Sequence, residues 1–333
     1  MRNLSPEGIR RELMNLPDIS RALWERVHEI PPGRVSTYGT LATALGDPIA
    51  TRWVGFELLN HPHSSDCPCF RVVRATGQLG KYCLGSQDEK MARLRADGID
   101  IVNQRVDLQL HGFAEFRGSQ PLQHLKSIQE IVRSHASLVD ESSVQTIAGV
   151  DVSYHGNIAF ACYAETNLDT GELSWSHVAT RPISFPYITS YLAYRELPVL
   201  IQLVEEVRAI RELADAVMVD GAGIAHPRGC GVATMLGVAC DLRTIGITKK
   251  LLHGSVHTTK MSCGEIRPIL QHESRIGAAL RPNPRTAKPI FVSPGHRIHC
   301  EQAIEQVDRV LGRRRLPDPI YWADRLSREA AKS

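Results

Sequence analysis

The sequence has no run of the roughly 18 apolar residues that a membrane-spanning helix needs, which excludes an α-helical membrane protein. Its opening residues, MRNLSPEGIRRELMN, hold no apolar core of leader length, so a cytoplasmic protein is expected. Charge of one sign is also scarce. The 39 basic residues nearly balance the 36 acidic ones, and a net +3 leaves the class of partner open, because nucleic-acid binding depends on local clustering. There is no internal repeat. At 43% hydrophobic and 23% charged, with 25 Gly and 19 Pro, the composition excludes disordered, collagen-like and simple coiled-coil chains. What is present is a globular chain of 333 residues, long for one ordinary domain and suited to two.

Cysteine is present but unpatterned. None of the eight forms a C-x-x-C pair, and a chain of this size, expected in the cytoplasm, needs no disulfide framework. Cys67 and Cys69 are two apart, a poor zinc spacing with no second pair nearby in sequence, and most of the others sit in apolar runs that read as core.

Apolar residues from Ile9 to Ile30 recur at three- to four-residue steps and predict a helix over 5–30, stopped by Pro31-Pro32-Gly33. Thr37 is placed to cap a short helix through Ala44, and a second follows the Gly46-Asp47-Pro48 turn over about 50–59. Two short helices about a tight turn fit a helix-turn-helix. An extended segment at 70–73, a helix at 86–96, a connector at 112–120 and a helix at 122–135 complete the first part. The pattern then changes. Strands are expected at 147–154, 158–165, 174–179, 216–219, 244–247 and 289–292, with helices at 190–212, 230–240 and after Gly295. Three antiparallel-capable strands followed by helix–strand alternation predict a mixed α/β sheet with helices on its faces.

Asp151 interrupts one apolar strand and Asp220 ends another. Burying either carboxylate is costly unless it is paired or bound to a metal. If the strands are neighbours, the two converge and can hold divalent cations through hard oxygen ligands; unrelated strand-end caps are the bland alternative.

The blocks GVDVSY, FPYITSYLAYRELPVL, VMVDGAGIAHPRGCG, DLRTIGITKKLL, KPIFVSPGHRI and WADRLS, in this order over about 120–328, resemble endonuclease V. The resemblance implies a ribonuclease-H-like fold and Mg2+-dependent cleavage, Mn2+ substituting, at the second phosphodiester bond 3′ to deoxyinosine in DNA. Some members also cut inosine-containing RNA. It further implies that Asp151 and Asp220 are the principal metal ligands and that Glu196 completes the acidic set, in part through water. His296 would stand near a second metal position, and Lys249 would face the scissile phosphate. Pro186, Tyr187 and Ile188 match the wedge that parts the strands, and Gly221, Gly223 and His226 would lie beside the pocket for the altered base. Where the family usually has histidine, this chain has Ala222.

Residues 18–100, with IPPGRVSTYGTLATALG, TRWVGFELLNHP, CPCFRVVRATGQLGKY and EKMARLRADGI, resemble the DNA-binding domain of the methylated-DNA–protein-cysteine methyltransferases and their alkyltransferase-like relatives. That family has a small, mostly helical, winged helix-turn-helix domain that flips alkylated guanine out of the duplex. By position, Tyr38 would contact the flanking phosphate, Arg52 would be the intercalating finger, Asn60 the hinge asparagine and Cys69 the alkyl acceptor. One departure bears on mechanism. The family writes Pro-Cys-His-Arg, and this chain writes Pro68-Cys69-Phe70-Arg71, so the imidazole that raises the thiolate fraction is missing. Either Cys69 keeps a reduced alkyl acceptance or the domain binds lesions without repairing them. The organisation expected is an alkyltransferase-like domain at 1–112, a connector at 113–120 and an endonuclease V domain at 121–333. Together they make a DNA-repair protein, the rivals being a lesion-binding scaffold and an inosine-directed ribonuclease.

Overall fold

The computed structural model describes residues 4–62, 67–83, 85–139, 143–282 and 288–332. The helix expected over 5–30 is two helices, α1 (Pro6–Met14) and α2 (Ile19–His28). Pro17 supplies no amide proton and turns the preceding residue out of the helical region, and Asp18 then caps α2 by accepting from Arg21 N at 2.9 Å. The two expected short helices are α3 (Tyr38–Ala44) and α4 (Thr51–Asn60). Thr37 Oγ1 caps α3 by accepting from Thr40 N at 3.1 Å. Between them Gly46 adopts a φ of +103°, and a Cβ there would come within 2.5 Å of Gln123 N, so the turn requires glycine.

The first half of the stretch expected to be extended at 70–73 is instead part of a 3-10 turn, Pro68–Arg71, because the fixed φ of Pro68 starts a helical turn. Only Val72–Val73 (β2) is a strand, parallel to Ser36–Thr37 (β1). Helix α5 (Gln87–Ala96) follows, then a hairpin of β3 (Ile101–Val102) and β4 (Arg105–Val106). Its turn residues, Asn103 and Gln104, both have positive φ, as a two-residue hairpin turn demands, and this is the wing. After α6 (Leu108–His111) the chain is fastened locally, with Phe113 N donating to Val35 O at 2.8 Å and Arg117 N to Glu29 Oε2 at 2.9 Å. Helix α7 (Pro121–His135) comes next.

The second part is built on an eight-stranded sheet: β5 (Ile147–His155), β6 (Ile158–Thr166), β7 (Leu173–Pro182), β8 (Ala216–Asp220), β9 (Thr244–Thr248), β10 (Ile266–Gln271), β11 (Ser274–Leu280) and β12 (Ile290–His296). Its order is β10-β11-β12-β9-β8-β5-β6-β7, and β8 runs parallel to both neighbours while every other pairing is antiparallel. This is the mixed α/β sheet of a ribonuclease-H-like fold. The β10–β11 hairpin was not legible in the sequence: its turn, His272-Glu273, carries neither glycine nor asparagine, and His272 is held at a φ of +53°.

Helices α8 (Leu192–Ile210), α9 (Val232–Cys240), α10 (Cys300–Arg309) and α11 (Asp318–Ala330) flank the sheet. Ile147, Met218 and Ile245 from three adjacent strands share a core with Ile304 and Val307 of α10 and Ile320 of α11. Packing divides the chain into two compact units. One holds Pro17–Ser127 with Phe185–Tyr191, and the other holds the chain up to Leu16, Ile128–Ser184 and everything from Leu192 onward. Among the described residues no helix is long and apolar enough to cross a membrane.

Candidate active site

The register of the central strands builds the site. β5 and β8 are parallel with Val150 opposite Val219, so Asp151 and Asp220, each one residue further on, come level on strands about 4.8 Å apart. Side chains alternate between the faces of a strand. Asp151 therefore shares a face with Ile147 and Gly149, and Asp220 shares one with Ala216 and Met218, the face that packs on α11. Gly149 is what lets α11 approach, since a Cβ there would lie 2.3 Å from the carbonyl carbon of Pro319.

The close approach of α11 brings in a third carboxylate. Oxygens of Asp151, Asp220 and Asp324 all lie within 4.8 Å of one another. One turn after Asp324, Ser327 donates to Asp151 Oδ2 at 3.1 Å and meets Ser153 Oγ at 2.9 Å. Lys249, just past β9 on the strand beside β8, sets its ammonium 2.7 Å from Asp220 Oδ2 and 3.8 Å from Asp324 Oδ1. Asp324 was missed in the sequence. The signal was in the WADRLS block, but nothing in the block says that its helix lies across the strand carrying Asp151.

The electrostatics follow from this crowding. Burial, then Asp220 and Asp324, push the Asp151 carboxyl up to about 7 against the opposing pull of Lys249 and Ser327. Burial works against the charge on Lys249, but Asp220, Asp324 and Asp151 outweigh it and hold that ammonium above its ordinary value. Glu196, on α8, is buried, and its carboxyl is raised well above the usual range by burial and then by Asp151 and Asp220. It is not one of the three mutually close carboxylates. Its hydrogen bond comes from the hydroxyl of Tyr154 at 3.4 Å, and Tyr154, three residues beyond Asp151, points to the other face of β5.

His296 is not brought to the carboxylates, contrary to the sequence expectation. It pairs with Thr244, which pairs with Val217, whereas Asp220 pairs with Ile247; His296 thus lies about 10 Å back along the strand direction and two strands away. Its Nδ1 accepts from Ser137 N at 3.1 Å, its Nε2 is 3.8 Å from Asp241 Oδ1, and burial lowers its pKa. The SPGHRI block alone did not fix the direction in which its strand runs.

The loop after β8 carries the residues expected at the base pocket. Gly221 N donates to Ile247 O at 2.9 Å and Gly223 N to Ser293 Oγ at 2.9 Å. A Cβ on Gly223 would sit 2.0 Å from Pro294 O, so close packing on β12 already requires that glycine. His226 is buried, its Nδ1 accepts from Arg228 N at 3.2 Å, and burial, Arg228 and His253 push it down to about 4. It is a neutral imidazole with its proton on Nε2. Ala222 is buried in the same loop.

The expected wedge is in the other compact unit. Tyr187 is 65% exposed, Pro186 is half-buried, and Ile188 is 1% exposed. Ile188 is therefore a core residue, a correction to its expected contact with DNA. Tyr191 closes this segment by donating to Asp47 Oδ2 at 2.7 Å.

In the same unit Arg52, Phe56 and Asn60 recur at i, i+4 and i+8 along one exposed face of α4, and Phe56 is 63% exposed. Asn60 Nδ2 donates to Phe56 O at 2.7 Å. Phe56 was not singled out in the sequence, though an aromatic one turn after the candidate finger arginine was the available signal. Cys69 is buried, with Cys83 Sγ 3.7 Å away and Tyr38 and Tyr82 in electrostatic reach. Its thiol is pushed far above its ordinary value by its hydrogen bond to Cys67 and by burial. That same bond, with His61 assisting, draws Cys67 down to about 5. Two guanidiniums cover the Phe70 ring, Arg71 at 5.2 Å and Arg93 at 5.6 Å, and Asp97 is committed to Arg71 Nε at 2.5 Å.

Two family models match the chain, endonuclease V over residues 126–325 and the DNA-binding domain of 6-O-methylguanine DNA methyltransferase over residues 18–99. A bifunctional methyltransferase/endonuclease of Picrophilus torridus is 35% identical over 92% of this chain and 94% of its own. An endonuclease V of Rippkaea orientalis is 36% identical over 64% of this chain and 93% of its own. Among solved structures, the catalytic domain of human endonuclease V aligns with a TM-score of 0.60 at 29% identity, covering 65% of this chain and 98% of that one. Endonuclease V of Ciona intestinalis, in complex with a 24mer DNA containing an inosine followed by a ribo-adenosine, aligns at 0.58 and 27% identity, covering 64% and 99%.

Proposed function

Because the chain belongs to the endonuclease V family, fused to an alkyltransferase-like DNA-binding module, we propose that this nuclease cuts DNA at the second phosphodiester bond 3′ to deoxyinosine, using Mg2+ or Mn2+ held by Asp151, Asp220 and Asp324. The convergence of three carboxylates from two parallel strands and one helix carries the reading. The donor set fits such an ion: all the ligand atoms are hard oxygens, and their mutual repulsion leaves a site that gains from a cation. When bound, the ion supplies an activated water and charge stabilisation at the phosphorus.

The chain's own groups do the rest. Ser327 fixes the orientation of Asp151, which would hold the ion with Asp220 and Asp324. Lys249 offsets negative charge on the carboxylates and on a phosphate brought against them. Glu196, whose carboxyl is raised by burial and by Asp151 and Asp220, accepts from the Tyr154 hydroxyl. Neutral His226, with a proton on Nε2, suits an acceptor on a flipped purine, and the exposed Tyr187 ring suits the gap that the base leaves. His296, away from the carboxylates, holds the loop at Ser137.

The division of labour assigns lesion binding to residues 1–112 and cleavage to residues 121–333, with 113–120 between them, although α1 packs with the cleaving unit. The Arg52–Phe56–Asn60 face of α4 and Tyr38 engage the duplex. The module holds alkylated guanine without efficient transfer to Cys69, whose thiol keeps its proton and has no imidazole at position 70. The test is cleavage mapping with Mg2+ on matched deoxyinosine DNA and inosine RNA. Nicking of the DNA at the second bond, abolished by Asp220→Ala, is the expected result. Equal nicking by Asp220→Ala would reject the metal-site assignment, and cleavage of the RNA alone would reject the DNA substrate.

A further inference from the structure

The sulfur cluster of the DNA-binding module has no part in the proposed cleavage. Sequence spacing argued against a metal there, because Cys67 and Cys69 have no second pair nearby; the fold supplies one. His61, at the end of α4, and Cys67 and Cys69, around Pro68, bring a ring nitrogen and two sulfurs within 4.8 Å of one another, a set to which Cys83 is joined through Cys69 alone. Cys67 Sγ lies 3.4 Å from His61 Nε2, and Cys69 Sγ lies 3.7 Å from Cys83 Sγ. A tetrahedral zinc, about 2.3 Å from sulfur and about 2.0 Å from nitrogen, sets its ligand atoms about 3.5–3.8 Å apart. The two closest pairs are already near that spacing.

Two further observations point to a cation. The His61 ring lies tilted against Trp24, with centroids 4.3 Å apart, and its Nδ1 is 3.1 Å from Leu58 O. A carbonyl can only accept, so Nδ1 carries a proton and Nε2 is turned to Cys67, the ring orientation and outer hydrogen bond of a metal-ligating histidine. On the other side Lys90 is 1% exposed, held by Val72 O and Leu79 O at 2.6 Å each and in electrostatic reach of Cys69 and Cys83. It pairs with no carboxylate among the described residues. A buried ammonium beside neutral thiols is costly, whereas beside a zinc with three thiolates, a centre of net negative charge, it is compensated.

We propose that His61, Cys67, Cys69 and Cys83 form a binding site for a thiophilic divalent cation, zinc, distinct from the carboxylate site of the nuclease. Binding releases the thiol protons to solvent and ties the end of α4 to the segments around Cys69 and Cys83. The proposal goes beyond the lesion-binding reading and does not depend on the cleavage reading, because its test measures metal rather than activity.

The full-length protein, loaded with zinc and dialysed against a chelator, is assayed for zinc by elemental analysis, and with Co2+ in place of zinc by absorption. Stoichiometric zinc is expected in the wild type and in Asp151→Ala, with thiolate-to-cobalt charge transfer and the visible bands of tetrahedral cobalt. His61→Phe, which keeps the ring against Trp24, and Cys67→Ser are expected to lose the metal, while His61→Cys, which restores a ligand, keeps it. Cys83→Ser should weaken the charge-transfer band. Absence of retained zinc from wild-type protein of native circular dichroism would overturn the proposal. So would retention that depends on Asp151, or an intact mass showing a Cys69–Cys83 disulfide in the protein as isolated.

Discussion

Lys249 sets its ammonium 2.7 Å from Asp220 Oδ2, from the residue that follows the strand next to the one that carries the aspartate. In this position it stands in for part of the cation charge and competes with it. Lys249→Met should therefore bind Mn2+ at least as tightly as the wild type while its kcat falls by about a hundredfold, the scale of losing one charge-stabilising group. Isothermal titration beside single-turnover cleavage reads the two effects separately. A parallel loss of metal affinity would show that Lys249 only organises the site.

Asp324→Asn should cost about a hundredfold or more in cleavage and weaken Mn2+ binding, as expected if this carboxylate holds the ion. The substitution keeps the size of the side chain and leaves Ser327 to hold Asp151, so the melting temperature should change little. Wild-type cleavage by this variant would remove Asp324 from the site.

The raised carboxyls make a pH prediction of definite sign. Asp151 is pushed up to about 7, and Glu196 is shifted in the same direction, so between about pH 4 and pH 7 the unfolded chain has lost protons that the folded one retains. These groups make the metal-free protein less stable as pH rises through that window. Divalent cation binds the deprotonated form, so its stabilising effect should grow over the same range. Thermal melts at about pH 5 and about pH 8, with and without Mn2+, should show a pH-dependent gain that shrinks in Asp151→Asn. An unchanged slope in that variant would contradict the assignment.

At the wedge, the structure separates two neighbours that the sequence treated alike. Tyr187→Ala should leave stability within about 0.5 kcal/mol and weaken binding to deoxyinosine duplex by about 1–3 kcal/mol, the worth of one stacked ring. Ile188→Ala should instead cost about 2–5 kcal/mol of stability, because its side chain is in the core. Denaturant melts and duplex titrations of the two variants decide it.

In the N-terminal module, incubation with O6-methylguanine duplex should leave the intact mass of the protein unchanged while the duplex is bound. In the metal-free protein, the state to be used for this test, the Cys69 thiol holds its proton, and Phe70 can accept none. A methyl adduct mapped to Cys69 would show that transfer proceeds without the usual imidazole.

The sequence made six of the sheet's eight strands, the helix-turn-helix and the first two carboxylates legible, for identifiable reasons. Asp151 and Asp220 stood out because a charge in an apolar strand is costly, and α3 and α4 because Thr37 and the Gly46 turn punctuate them. Relations that depend on long-range register were not legible. Asp324 needed the packing of α11 on Gly149, and the displacement of His296 needed the direction of β12. Likewise Cys83 lies 14 residues from Cys69 in sequence, and only folding brings the sulfurs together.

The central claim is that Asp151, Asp220 and Asp324 share a divalent cation, and a crystal soaked in Mn2+ and measured at the manganese absorption edge tests it most directly. An anomalous peak among the three carboxylates, absent in Asp220→Ala, is the predicted result. A peak elsewhere in the molecule with none at the three aspartates, from crystals of protein that cuts deoxyinosine DNA in the same buffer, would contradict it.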